Sequence, residues 1–167
     1  MAVLGAVADC LPEITAPGGL GKVRLPDDRS DIVALLERLP SQIQGEARRV
    51  WLDDDRPTVR YGTTATTLSI QAIDVSTGGF FPYGATASEI IAMMSLGADW
   101  EVIASGREST LLWVNWVSNV TTDEEKFTEY IIQWGDAESR WVFVASARTP
   151  TDVDTLVAAF VTAATTK

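Results

Sequence analysis

The chain has 167 residues, of which 46% are hydrophobic and 22% charged, and this composition is typical of a single soluble globular domain. Its net charge of −10 argues against a nucleic-acid-binding protein, because affinity for phosphate backbones comes largely from Lys and Arg. The chain contains no histidine, which excludes His-based triads and His-ligated metal sites, and its one cysteine excludes an internal disulfide. No apolar run approaches the ~20 residues of a membrane-spanning helix.

Small apolar residues begin the chain, in the run MAVLGAVAD that precedes Cys10. This run is similar to the end of a secretory signal that leads to a lipoprotein cysteine, although the charged segment of such signals is missing. Cys10 is therefore a lipidation candidate, and a disordered N-terminus with a free thiol is the alternative. Pro and Gly dominate the residues that follow, so we predict a flexible arm or tether over 1–28 and one domain over 29–167. We expect membrane contact only through this anchor, and an extracytoplasmic location, secreted or tethered, over a cytoplasmic one.

The first predicted helix covers residues 30–39. Ser30 is a suitable N-cap, apolar residues recur at helical spacing, and Pro40 ends the helix. Short runs of alternating character then predict strands, the first with Val50 and Leu52 on one face. These strands cover residues 49–53, 58–61 and 66–75.

The middle of the chain contains a glycine-flanked aromatic loop, GGFFPYG, at residues 78–84. A capping box follows it and predicts a short helix over 86–96. Two further strands are predicted, and the turn between them places Val102 beside Trp113. These strands cover residues 100–106 and 111–117. A polar, acidic loop over 119–126 comes next.

Three antiparallel strands between residues 110 and 148 carry most of the tryptophans, in the runs TLLWVNWVS, FTEYIIQWG and RWVFVASAR. A hairpin loop rich in Gly and Asp places Trp134 opposite Trp141 and Ile132 opposite Phe143. Both faces of these strands are substantially apolar, so both must be covered. The predicted fold class is therefore α+β, a mainly antiparallel sheet flanked by helices on both faces.

The last predicted helix covers residues 149–165. Thr149 is its N-cap and Pro150 occupies its first helical position. A continuous apolar stripe follows, with Phe160 near its centre. We expect this helix and the helix at 30–39 to cover the two faces of the sheet, with the short middle helix alongside.

The order of these elements, and the segments that carry it, resemble the PsbP-like α/β/α sandwich family. The segments are LLERLPSQIQG at 35–45, Tyr61 and Gly62, WGD at 134–136, and LVAAF at 156–160. The resemblance covers roughly residues 30–167 and lies in element order. That family includes extrinsic subunits of photosystem II, a Ran-binding nuclear import factor and bacterial lipoproteins, so the resemblance implies non-enzymatic accessory roles. No functional residue carries over from it.

The aromatic loop supplies the predicted partner-binding residues, Phe80, Phe81 and Tyr83. Adjacent aromatic side chains on a loop cannot all point inward, so some apolar area meets solvent or a partner. The alternative is that Phe80 and Tyr83 close the sheet edge while Phe81 shields a helix end. Single exposed aromatic residues are common on protein surfaces, which keeps this alternative open.

Carboxylates offer two weaker candidate sites. Asp53, Asp54 and Asp55 are possible oxygen ligands for a divalent cation, but a solvated acidic turn explains them better, and we predict no metal and no cofactor. Glu129 and Asp136 are close enough in sequence to be considered as a catalytic carboxylate pair. Nothing in the sequence indicates that either is buried.

The six tryptophans are predicted to be core residues of a covered sheet rather than a sugar-stacking surface. They are Trp51, Trp100, Trp113, Trp116, Trp134 and Trp141. The sequence thus favours a non-enzymatic accessory or protein-interaction domain with an unknown protein partner. A binding module for a small apolar ligand and a carboxylate-based hydrolase remain as alternative functions.

Overall fold

The computed structural model of the chain describes residues 17–62, 68–77, 100–108, 111–118, 129–136 and 139–166. Eight strands in these residues form one antiparallel sheet, and two α-helices pack on it. The prediction of an α+β fold with a mainly antiparallel sheet is therefore confirmed. The strands are β1 (Gln42–Ile43), β2 (Glu46–Trp51), β3 (Thr58–Tyr61), β4 (Leu68–Asp74), β5 (Trp100–Glu108), β6 (Leu111–Ser118), β7 (Glu129–Asp136) and β8 (Trp141–Ala147). The helices are α1 (Arg29–Glu37) and α2 (Pro150–Thr165), and short 3-10 turns lie at Leu20–Lys22 and Val75–Thr77.

The strand order in space is β1-β2-β3-β4-β8-β7-β6-β5. Strands β1 to β4 form one meander and strands β5 to β8 form a second, as the sequence predicted for the second half. The two meanders join where β4 pairs with β8, from Ser69 opposite Ser146 to Asp74 opposite Trp141. These two strands therefore lie at the centre of the sheet, where side chains are buried most completely.

One face of the sheet packs against both helices. Phe160 of α2 lies 4.6 Å from Phe143 and 5.3 Å from Trp134, measured between ring centroids, and the second contact is edge-to-face. Edge-to-face aromatic pairs of this kind stabilise a core beyond the area that they bury. Leu35 and Leu36 of α1 belong to the same buried cluster.

Arg48 and Tyr61 hold α1 on this face. They lie opposite each other on β2 and β3 and point toward the helices. Arg48 Nη1 donates to the carbonyl oxygens of Glu37 and Leu39 at the end of α1, and the Tyr61 hydroxyl donates to Pro40 O at 2.7 Å. Since α1 also contacts α2, the two helices share one face and do not lie on opposite faces as predicted. The predicted helix at 86–96 lies outside the described residues.

The reverse face of the sheet is also buried at its centre. Ile73, Val114 and Val142 alternate with the residues that face the helices, and each exposes at most 1% of its surface. Neither described helix packs on these side chains. Apolar character on both faces of the central strands was a sequence prediction, and the burial of both sets of side chains confirms it.

The predicted strand register is wrong by two residues between β7 and β8. Trp134 lies opposite Phe143 instead of Trp141, and Ile132 lies opposite Ala145 instead of Phe143. The reason is that the hairpin turn lies one residue later than the sequence suggested, since β7 continues through Asp136 and β8 begins only at Trp141.

The pairing of β5 with β6 also differs from the prediction. Val102 lies opposite Trp116 instead of Trp113, and the register shifts between Val102 and Ala104. Most of the difference arises because β5 continues through Glu108, so the turn lies later than predicted. The irregularity is a β-bulge, which inserts one residue into one strand and cannot be read from alternation alone.

Helix α2 begins as predicted. Thr149 has extended backbone angles, its side chain accepts a hydrogen bond from Asp152 N at 3.2 Å, and Pro150 is the first helical residue. Helix α1 begins one residue earlier than predicted, with Asp28 as its N-cap in place of Ser30.

Candidate protein-interaction surface

The alternation of side chains along β2 places two of them outward, on the reverse face near one end of the sheet. Arg48 and Val50 point toward the helices, so Arg49 and Trp51 point to the opposite side. Arg49 lies directly opposite Arg60 of β3, and Trp51 lies opposite Thr58. We call Arg49, Trp51 and Arg60 the Arg–Trp surface.

Trp51 is exposed to solvent at 41% of its surface, and the neighbouring Leu52 at 47%. The guanidinium carbon of Arg60 lies 5.1 Å from the centroid of the Trp51 ring. A guanidinium over an indole face is a cation–π contact, and it leaves the edge of the guanidinium available to further ligands. The two side chains therefore form a solvent-facing pair in contact with each other.

Arg29 fixes the backbone just beyond Trp51. It lies at the start of α1, and its Nη2 donates to Leu52 O at 2.7 Å and to Asp53 O at 3.3 Å. Its Nε donates to Asp54 O at 3.3 Å. These three hydrogen bonds attach the turn after β2 to α1. The C-terminal end of β2, which carries Trp51, is therefore fixed in position.

The outer edge of β2 is paired only at its beginning. Strand β1 lies opposite Glu46 and Ala47, and Arg48 N donates to Ser41 O at 2.9 Å. No described strand pairs with the outer side of residues 49–51. The Arg–Trp surface therefore borders a short open sheet edge.

The electrostatic balance of this surface is opposite to that of the whole chain. Three ion pairs link described residues, and neither Arg49 nor Arg60 takes part in them. Like charges directly opposite each other on neighbouring strands are destabilising. In a chain with 23 acidic and 13 basic residues, two facing arginines with no carboxylate within ion-pair distance among the described residues form a local positive surface.

The predicted cation candidates Asp53, Asp54 and Asp55 form an exposed turn whose partners are arginines. The carbonyl groups of Asp53 and Asp54 face Arg29, whose Nη2 lies 3.9 Å from the Asp54 carboxylate. Asp55 lies 3.9 Å from Arg56 Nε. In the part of the chain that the structure describes, no group of three or more His, Cys, Asp or Glu residues is placed to hold a metal ion.

Asp74 is the most tightly held carboxylate in this part of the molecule. It exposes 4% of its surface, accepts a hydrogen bond from Arg140 Nε at 2.7 Å and from Ser76 Oγ at 2.7 Å, and forms an ion pair with Arg140 Nη2. The hydrogen bond from Arg140 lowers the pKa of Asp74 to about 2, against an opposing effect of burial. A general acid needs a raised pKa, so Asp74 is suited to a structural role instead.

The other predicted carboxylate pair is not brought together. Glu129 and Asp136 are the first and last residues of β7, which separates them by about 23 Å at the usual rise per residue of a strand. They cannot act on one substrate atom. The hydrolase hypothesis therefore has no carboxylate pair within β7.

The ligand-binding alternative requires space between sheet and helix. Where the structure describes this interface, the rings of Trp134, Phe143 and Phe160 fill it. The surface cleft beside α1, about 700 Å³ in volume, is lined mainly by charged side chains such as Arg24 and Asp31, which do not suit an apolar ligand.

Trp113 and Trp134 have buried indole nitrogens without a hydrogen-bond partner among the described residues. Trp134 meets the Phe160 ring edge-to-face, and aromatic faces accept N–H groups weakly. These two atoms lie at directly opposite positions of β6 and β7, inside the same cluster as the helices.

Several predicted site residues lie outside the described residues. They are Phe80, Phe81 and Tyr83 of the aromatic loop and the lipidation candidate Cys10. Within the described residues, no helix is both long and apolar enough to cross a membrane. Comparison of the chain with protein-family models, with curated proteins and with solved structures gives no match.

Trp51 is the exposed candidate residue that the sequence interpretation missed, because all six tryptophans were assigned to the core. Trp113, Trp134 and Trp141 are indeed fully buried, whereas Trp51 is exposed. A signal was present in the sequence. Trp51 has Arg49 and Asp53 two residues away on either side, so its face of the strand reads polar, aromatic, polar.

Proposed function

We propose that this protein is a non-enzymatic interaction domain that binds a protein partner through the Arg–Trp surface. The observation that carries the proposal is the exposed Trp51 ring beneath the Arg60 guanidinium. The strand that carries Trp51 is paired with β3, and Arg29 binds the turn that follows it. Tryptophan and arginine are the residues most enriched among those that dominate binding energy at interfaces. Their combination on a sheet surface supports a contact role over a catalytic one.

The exposed surface is costly for the isolated domain, which supports a role in binding. The Arg49 and Arg60 charges repel each other, and Trp51 leaves two fifths of its surface in water. A partner that supplies acceptors to the guanidinium groups and covers the ring removes both costs. Binding therefore gains from features that do not help folding.

The PsbP-like sandwich remains part of the proposal, with α1 and α2 together on one face of the sheet and a further layer covering the other face. It is supported by the burial of Ile73, Val114 and Val142 on the face opposite α1 and α2. An accessory role without catalysis is common on that scaffold, although likeness of fold does not transfer function.

Photo-cross-linking tests the proposed surface. A photoreactive phenylalanine analogue is placed at the exposed Leu52, beside the Arg–Trp surface, and, as a control, at the exposed Ala158 on α2. Each protein is irradiated in an extract of the organism that encodes it. We expect one partner to cross-link from position 52 and not from position 158. Equal products from both positions, or none from position 52, would count against the proposal.

The partner is then purified and its affinity is measured. Truncation of an interface anchor typically loses about 2 kcal/mol or more, which is roughly 30-fold in Kd. Trp51→Ser should weaken the complex by at least that factor, whereas Trp51→Phe, which keeps a ring beneath Arg60, should retain most of the affinity. If Trp51→Ser binds as tightly as the unmodified protein, the contact surface lies elsewhere.

A further inference from the structure

The chemistry of the partner can be inferred from the two facing arginines, if the Arg–Trp surface is the contact surface proposed above. Arg49 and Arg60 are exposed and directly opposite each other, and neither has a carboxylate within ion-pair distance among the described residues. A guanidinium group binds carboxylates through two parallel N–H donors. The surface is therefore complementary to an acidic ligand, although the chain as a whole is acidic.

The open edge beside these arginines indicates the shape of that ligand. Residues 49–51 have no described strand on their outer side, while the chain before them is paired with β1 and the chain after them is held by Arg29. Extended peptides add to open edges of this kind through main-chain hydrogen bonds, and alternate side chains then face the same surface. A peptide on the edge of β2 would place every second side chain beside Arg49 or Trp51.

We propose that the partner presents an extended acidic segment that adds to β2 as a short further strand. An Asp or Glu of this segment pairs with Arg49, and its neighbour on the same face lies against Trp51. The turn at Asp53 and Asp54 limits where acidic residues of the segment can lie, because the carboxylates of the turn repel acidic residues placed beyond Trp51. The segment is therefore acidic beside Arg49 and neutral or basic beyond that point.

A second copy of this chain fits the edge less well. Two β2 edges paired about a two-fold axis bring two sets of arginines together, which opposes association. Anionic membranes and nucleic acids also bind arginine, but neither offers main-chain groups to a sheet edge. The acidic peptide thus matches both the charge and the open edge.

Fluorescence anisotropy with three matched sets of ten-residue peptides tests this inference on the full chain. Each peptide carries Glu, Gln or Lys at two alternate positions in one half of its length, and the remaining positions are varied identically among Thr, Val and Ser, so that no acidic residue has to lie beyond Trp51. We expect the Glu set to bind at least about tenfold tighter than the Gln set at low salt, with a preference that falls as salt rises. Arg49→Glu should abolish this preference and shift it toward the Lys set, while Arg24→Glu, an exposed arginine away from β2, should leave it unchanged.

The added strand has its own test. Methylation of alternate backbone nitrogens in the Glu peptides removes main-chain donors and keeps every charge, and it should lower affinity at least about tenfold. Full affinity of the methylated peptides overturns strand addition. Equal binding of the Glu and Gln sets, or a preference that survives Arg49→Glu, overturns the acidic segment.

Two further probes separate the peptide from other anions. Vesicles that contain phosphatidylserine, or single-stranded DNA, would overturn the protein assignment if they bound through Arg49 more tightly than the Glu set. Failure of this inference differs from failure of the proposed function. A purified partner whose binding needs Trp51 but tolerates Arg49→Glu leaves the contact surface in place and removes only the acidic segment.

Discussion

At the scale of single residues, Asp74 links the two halves of the sheet. Asp74 is the last residue of β4, and it accepts a hydrogen bond from Arg140, the residue immediately before β8. The backbone supports the same link, because Val75 N donates to Arg140 O at 2.9 Å. The pKa of Asp74 is lowered to about 2, chiefly by the hydrogen bond from Arg140 and also by Ser76. A folded-state pKa below the unfolded value of 3.8 means that the ionised carboxylate stabilises the fold above about pH 4 and that this contribution is lost as the pH falls toward 2.

Asp74→Asn should therefore lower the free energy of unfolding by about 1–2 kcal/mol at pH 7, a value reduced for the solvent exposure of Arg140. The difference from the unmodified protein should shrink as the pH falls below 4. Urea unfolding at pH 7, 5 and 3 measures it, with Asp154→Asn on the exposed side of α2 as the control for charge removal. A difference that is the same at pH 3 as at pH 7 would contradict the assigned role.

Tyr61 attaches the exit of α1 to β3 through its bond to Pro40 O. Burial raises the pKa of Tyr61 to about 12, although the positive charge of Arg48 opposes this shift. Because the folded-state pKa exceeds the unfolded value of about 10, the contribution of the neutral phenol is complete below pH 10 and is lost as the pH rises toward 12.

We expect Tyr61→Phe to cost about 1 kcal/mol at pH 7, since Pro40 O loses its donor, and to remove part of the alkaline loss of stability. Thermal unfolding from pH 8 to pH 11 compares the two proteins. Identical alkaline destabilisation of both would show that Tyr61 does not titrate with unfolding.

At the scale of elements, local patterns predicted the strands of the second half and the last helix, but not the register in which the strands pair. Alternation has a period of two, so a two-residue slip between β7 and β8 keeps every side chain on its predicted face. Only the position of the hairpin turn distinguishes Trp134 opposite Trp141 from Trp134 opposite Phe143. The hairpin between β1 and β2 was missed for a related reason, because it depends on positive φ angles at Gln44 and Gly45, and Gln rarely adopts them.

Helix α2 depends on its apolar stripe, and Phe160 is fully buried between Trp134 and Phe143. Phe160→Ala should lower the free energy of unfolding by about 3–5 kcal/mol, through lost burial and the cavity that remains. Denaturant unfolding measures this, and Thr162→Ala on the exposed side of the same helix should change stability by less than about 1 kcal/mol. A Phe160→Ala value as small as that of the control would mean that α2 does not pack on the sheet as described.

At the scale of the whole molecule, the sequence predicted the fold class and the meander of the last four strands. It did not predict that β4 lies beside β8, because that pairing closes the sheet between segments distant in sequence and leaves no local signal. It also placed α1 and α2 on opposite faces, since an apolar stripe shows that a helix is buried but not against which face. The sequence interpretation also missed the candidate surface, because it assigned Trp51 to the core by residue type and did not consider the polar neighbours of Trp51 on the strand.

The central claim is that Trp51 serves binding and contributes little to folding. The most direct test measures both quantities on one variant, Trp51→Ser: the free energy of unfolding in denaturant, and the Kd for the partner purified through position 52. The exposed ring and its single cation–π contact predict a stability change of about 1 kcal/mol or less, together with a Kd at least about 30-fold higher. A loss of about 3 kcal/mol or more in stability, with the affinity of the remaining folded protein unchanged, would contradict the claim and return Trp51 to the core.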